Sequence, residues 1–141
     1  MQKIDKREKP FHIQRGDVYM ADINVGGHSK NDDGSDIENN SEQRGVRPVV
    51  VTQCNRQNRT STTVVVAIGT SQIKRLDLPY HVLLPKTKGL PRQTLICAEQ
   101  RFTLSRDRFI SYCCTLDRKV MKKITRACHM AEEEDKRRRA H

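Results

Sequence analysis

Two short runs of β-branched residues stand out against an otherwise polar chain: 46–53 (VRPVVVTQ) and 62–68 (TTVVVAI). Continuous apolar runs of this length belong to strands buried on both faces. Pro48 has no N–H to give to a ladder, so it must lie near the start of its strand or at an edge. The polar stretch 55–60 between the runs predicts a hairpin loop. Upstream, residues 13–23 set Ile13, Val18, Met20 and Ile23 among polar positions and predict a first strand, with Gly16-Asp17 as a bulge or turn. Downstream, 80–84 and 94–102 predict two more strands around a Pro/Gly/Lys turn, and 109–115 a last short one. From Asp117 the spacing changes. Val120, Ile124 and Ala127, with Met121 and Cys128 beside them, recur at helical intervals, and Asp117 is the expected N-cap.

Short strands followed by one helix predict a mainly β fold with a C-terminal helix, built as a small antiparallel barrel. A length of 141 residues suits a single domain, which is placed at 13–131 between a charged leader, 1–12, and a charged tail, 132–141. Residues 24–40 (NVGGHSKNDDGSDIENN) predict a long, polar, acidic surface loop. Only 35% of the residues are hydrophobic, so the core must be small and concentrated in a few strands. No run is long and apolar enough to span a bilayer, and the first residues lack an apolar signal segment. A cytoplasmic location without a membrane partner is expected. The cysteine count, 5, is odd and no pair has C-x-x-C spacing, so reduced, apolar cysteines are expected rather than a disulfide framework.

The formal net charge of +10 is unevenly distributed. Residues 44–108 hold twelve Lys/Arg against three acids, a local excess of +9 in the segment that also holds the strongest strands. A phosphate-bearing partner is the natural reading, and a soluble basic surface without a ligand the plain one.

Four separated blocks narrow that choice. They are Arg15-Gly16-Asp17-Val18-Tyr19; Ser41-Glu42-Gln43-Arg44-Gly45-Val46-Arg47-Pro48-Val49-Val50-Val51; Ala67-Ile68-Gly69-Thr70-Ser71-Gln72; and Leu78-Pro79-Tyr80-His81-Val82 with the later Glu99-Gln100-Arg101. Each is common by itself; all four in this order and spacing are specific. Over residues 13–125 the chain resembles the MazF/PemK toxins. The resemblance implies a small SH3-like barrel of the CcdB/MazF toxin type, assembled as a homodimer. It implies ribosome-independent, metal-free, sequence-specific cleavage of single-stranded RNA (mRNA), and a cognate antitoxin protein that blocks the RNA groove.

Metal-free RNA cleavage uses the neighbouring 2′-hydroxyl as nucleophile and leaves 2′,3′-cyclic phosphate and 5′-hydroxyl ends. The 2′ proton must be removed, the phosphorane charge stabilised and the leaving oxygen protonated. Arg47 matches the family's catalytic arginine. Its planar, permanently charged fork suits two phosphate oxygens. Thr70 matches the catalytic threonine, with a hydroxyl able to donate to the same phosphate. Read without the resemblance, Arg47 is a solvated residue at a strand start and Thr70 an ordinary strand-end residue. Glu42, Gln43 and Arg44, in the loop entering the second strand, are expected to face RNA, as are Glu99 and Gln100. Gln100 is the expected base-edge reader, because an amide both donates and accepts. Asn55, Gln72 and Arg101 complete the candidate RNA contacts. The loop 24–40 is longer than in familiar members and is expected to modulate access or sequence choice.

His12 and His81 are the histidines in ordered-looking sequence, and His81 reads as a packed or hydrogen-bonded strand residue. Histidines and cysteines lack metal-ligand spacing, so neither a metal nor a cofactor is expected. Two other readings share part of this pattern. A non-catalytic nucleic-acid-binding barrel shares the charge but not the Arg47–Thr70 pair. A CcdB-like gyrase poison shares the barrel, but those toxins use a Trp-containing end and this chain has no Trp.

Overall fold

The computed structural model describes residues 2–3, 12–23 and 45–139. They form one sheet with a long C-terminal helix. The strands are β1 (Gln2–Lys3), β2 (Asp17–Asp22), β3 (Val46–Val51), β4 (Thr63–Thr70), β5 (His81–Leu83), β6 (Leu95–Ser105) and β7 (Phe109–Thr115). The helices are α1 (Asn55–Thr60) and α2 (Arg118–Arg139). The strand order is β1-β7-β2-β3-β4-β6-β5, and each neighbouring pair is antiparallel. The mainly β architecture with a C-terminal helix is the one expected. Closure of the barrel is not observed. Among the described residues the sheet stays open, with β1 and β5 as its edges. β5 is three residues long and bracketed by Pro79 and Pro85, which remove donors that a closing strand needs.

The two β-branched runs sit mid-sheet as β3 and β4, with Val49 opposite Ile68, Val50 opposite Ala67 and Val51 opposite Val66. Strand alternation sends their side chains to two cores. Val18, Val50, Ala67 and Ile96 pack beneath α2 against Met121, Ile124, Ala127 and Cys128. Tyr19, Val49, Val51, Val66 and Ile68 turn to the other face with Ile13, Leu104 and Phe109. That second cluster draws only on the strands and Ile13, so the sheet must curl over it to exclude water. Tyr19 stacks on Phe109 with ring centroids 4.9 Å apart. Its hydroxyl donates to buried Asp17, which also accepts from Gln14 N–H and the Thr115 hydroxyl. Burial first, and then the Asp17 charge, push the Tyr19 hydroxyl well above the ordinary tyrosine range.

Residues 55–60 form α1 rather than a hairpin loop. Tertiary bonds decide this. Asn58 Nδ2 donates to the Gln53 carbonyl at 2.9 Å, and Gln53 Nε2 donates to Asn58 Oδ1 at 2.9 Å. Arg106 donates from Nε to the Ser61 carbonyl at 3.0 Å and from Nη2 to that of Asn58. A cation on the last carbonyls satisfies the end of a helix too short to stand alone.

α2 begins as expected, with Asp117 Oδ1 accepting the Val120 N–H at 2.9 Å. It continues to Arg139, through the run expected as a charged tail. In the charged leader, Gln2 and Lys3 pair with Tyr112 and Ser111 of β7. The loop 24–40 and the candidates Glu42, Gln43 and Arg44 lie outside the described residues. No helix among the described residues is long and apolar enough to cross a membrane.

Candidate active site

β3 and β4 bring their functional residues to one end of the sheet. Arg47 is the second residue of β3, opposite Ala21 of β2. Thr70 is the last residue of β4, opposite Leu95 of β6. Continuing the Val49–Ile68 register by two residues sets Arg47 across from Thr70 on the same face. Both line a cleft of about 200 Å³ whose other walls include Pro48, Gly69, Arg92 and Thr94. Gly69 keeps its base open, since a Cβ there would lie 2.7 Å from Thr94 Cγ2 and 3.2 Å from the Pro48 carbonyl oxygen.

Arg47 is half-buried, and its Nε is fully buried with no hydrogen-bond partner among the described residues. Such a donor destabilises the fold by about 1–3 kcal/mol. In a permanently charged side chain lining a cleft, it is suited to an anionic oxygen. Thr70 is also half-buried. Its Oγ1 accepts the Gln72 N–H at 3.1 Å, which leaves the hydroxyl proton for another acceptor. Cleft and hydroxyl together give an expected result: Thr70→Val, which keeps the shape and removes the donor, lowers single-turnover RNA cleavage about 100-fold. Thermal stability and RNA affinity should barely change. A rate within threefold of the parent contradicts a direct role for the hydroxyl.

A second cluster lies beside this cleft, across β6. The β4–β6 ladder jumps from Ala67–Arg101 to Ile68–Cys97, leaving residues 98–100 without partners in β4. This bulge bends β6 and re-aims Glu99 and Gln100, both exposed. His81 of β5 pairs with Cys97. His81 Nε2 lies 3.0 Å from Glu99 Oε2, and its Nδ1 lies 3.0 Å from the Arg75 carbonyl. The Cys97 thiol is pushed above its ordinary value by burial and then by Glu99, while the Arg47 charge opposes that shift.

The remaining candidates have other surroundings. Arg101 donates to Glu132 of α2 at 3.0 Å, and Asn55 Oδ1 accepts the Arg15 N–H at 2.7 Å; neither lines the cleft. Gln72 is exposed just beyond Thr70. Sequence reading missed Ser71, Leu90, Pro91, Arg92 and Thr94 of the cleft. Ser71 stands beside Thr70 in the third block; the only signal for the others was a loop rich in Pro, Gly and Lys that no motif ties to Arg47.

Residues 14–130 match the family described as the PemK-like, MazF-like toxin of type II toxin-antitoxin systems. The chain belongs to the PemK/MazF toxin family. It is 37% identical over 122 residues to endoribonuclease EndoA of Bacillus subtilis (strain 168), covering 84% of this chain and 93% of that one. It is 36% identical over 116 residues to endoribonuclease MazF of Staphylococcus saprophyticus, covering 82% and 87%. Its fold is similar to a mycobacterial endoribonuclease, with a TM-score of 0.65 at 21% identity over 89% of this chain and 95% of that one. A mycobacterial endoribonuclease in complex with its cognate antitoxin gives 0.64 at 22% identity, over 85% and 94%. For this PemK/MazF member, the expected fold and family are therefore those found.

Proposed function

We propose that this chain, as an endoribonuclease of its family, cuts single-stranded RNA at specific sequences without a metal, as the toxin of a type II pair. The 2′-hydroxyl attacks the adjacent phosphorus, the 5′-oxygen leaves, and a 2′,3′-cyclic phosphate and a 5′-hydroxyl remain. Arg47 and Thr70 in one cleft carry this reading, with the Arg47 Nε buried and unpaired among the described residues. The guanidinium stabilises the phosphorane through charge-assisted bonds, and the Thr70 hydroxyl adds a third donor. Glu99 and Gln100, lifted out by the bulge, contact splayed bases, and Glu42, Gln43 and Arg44 contribute from the preceding loop. Gln72, exposed just beyond Thr70, is a further candidate RNA contact. Asn55 and Arg101 are lesser candidates. The mycobacterial endoribonuclease solved with its cognate antitoxin supports an antitoxin partner for this chain; the homodimer and the cytoplasmic location are what the family resemblance implies.

The test is digestion of a long RNA in EDTA with mapping of both new ends. Cyclic-phosphate ends at a recurring sequence support the reading; binding without cuts makes the protein a non-catalytic module. The net charge of +10 adds a second expectation. With about four phosphate contacts, affinity falls about fifty-fold between about 50 and 200 mM salt. Binding that is flat with salt rules out a phosphate-tracking groove.

A further inference from the structure

The cluster across β6 has a geometry that RNA cleavage alone does not explain. Three metal-ligating atoms, His81 Nε2, Cys97 Sγ and a Glu99 carboxylate oxygen, all lie within 4.8 Å of one another. We propose that His81, Cys97 and Glu99 form a binding site for a zinc-class transition-metal ion, and that filling it inhibits RNA cutting.

The ring of His81 is already set for such a role. A carbonyl oxygen only accepts, so the contact with Arg75 requires a proton on Nδ1. The same carbonyl also accepts the Leu78 N–H at 3.2 Å. Arg75 adopts a left-handed backbone (φ 54°), uncommon outside glycine, and the turn it makes aims its carbonyl at the imidazole. A histidine fixed through Nδ1 by a backbone carbonyl presents Nε2 outward, the arrangement that orients metal-bound histidines. Nε2 faces a carboxylate oxygen at 3.0 Å. Two acceptors at that distance require a shared proton or a cation between them.

The donor set selects the metal. One imidazole, one thiol and one carboxylate suit zinc and exclude magnesium and calcium, which prefer oxygen alone. On a tetrahedron of ligands about 2.0–2.3 Å from zinc, ligand atoms stand roughly 3.3–3.7 Å apart. That spacing lies inside the 4.8 Å that bounds the three atoms in the unliganded fold. On binding, the Cys97 thiol releases its proton to solvent, and water takes the fourth position. Filling the site holds Glu99 against β6 and withdraws it from the RNA groove. This second consequence rests on the nuclease reading; the binding site does not.

The full-length protein, reduced and stripped of metal, is titrated with Co²⁺. One equivalent is expected to produce tetrahedral ligand-field bands and a thiolate-to-cobalt band, both displaced by zinc. Cys97→Ala and His81→Ala each abolish the thiolate band, while Cys54→Ala and Cys128→Ala retain it. Absence of the band, or a band surviving in folded Cys97→Ala, overturns the site. Equimolar zinc is expected to slow cutting about tenfold, the size of one lost base-edge contact. EDTA restores the rate, and Cys97→Ala cuts at an unchanged rate with or without zinc. Cobalt bands accompanied by zinc-insensitive or zinc-accelerated cutting overturn the inhibition. A protein that never cuts RNA in EDTA overturns the nuclease reading, and the cobalt titration still decides the site.

Discussion

Arg47→Met is expected to abolish RNA cleavage while making the protein harder to unfold. The two effects have one cause. Arg47 Nε is buried and unpaired among the described residues, which therefore carry a desolvated donor that contributes nothing to their own stability. Methionine fills similar space without that penalty. The melting temperature should rise by about 3–5 °C, corresponding to about 1 kcal/mol. The rate should fall at least about 1000-fold, because the main charge opposite the phosphorane is gone. Arg47→Lys distinguishes charge from shape: a point charge cannot hold two oxygens in a fork, so about a 100-fold loss is expected. Single-turnover kinetics and thermal melts of the three proteins check this. A Met variant that melts lower than the parent shows that Arg47 is structural, and one that still cuts removes it from the mechanism.

Gly89→Ala should be among the most damaging single changes, although residue 89 lines no part of the cleft. Two independent penalties meet there. Gly89 has φ +99°, a conformation that costs a side-chain-bearing residue about 1–2 kcal/mol. An added Cβ would also lie 2.1 Å from the Cys113 carbonyl oxygen, and backbone cannot step aside as a flexible side chain does. Overpacking adds about 1–3 kcal/mol, so a total near 3 kcal/mol is expected from urea unfolding. Residues 90–92 and Thr94 are cleft walls, and Leu90 packs on the core under α2. Displacing Gly89 therefore moves that wall and lowers cutting as well. A variant within about 0.5 kcal/mol of the parent means that the loop relaxes freely and does not shape the cleft.

Much of this was legible before the coordinates, for physical reasons that differ by element. β3 and β4 announce themselves because valine and isoleucine in unbroken runs suit little except a strand buried on both sides. α2 shows in its apolar spacing and its Asp117 cap. α1 was hidden because its residues are polar; it depends on Arg106, 48 residues beyond Asn58, which no local pattern reports. The β6 bulge was equally hidden, because Leu95 to Ala98 are all apolar and erase the alternation that would betray the three extra residues 98–100. The open sheet follows from a strand cut to three residues between two prolines. At the site, Arg47 and Thr70 were nominated together by motif, and one register places both on the same cleft. Arg92 and the His81–Cys97–Glu99 group come together only through strand pairing and a loop fold, so linear spacing had nothing to offer.

The slack in β6 bears on how such a protein diversifies. Side chains in a regular ladder are held to account by the strand next door, and replacing one usually demands a matching change opposite. Residues 98–100 have no such neighbour in β4. Glu99 and Gln100 are also exposed, so apart from the Glu99 contact with His81 evolution can rewrite these two letters while the valines behind them keep the scaffold intact. A descendant can thus acquire a new cutting preference in small, foldable mutational steps.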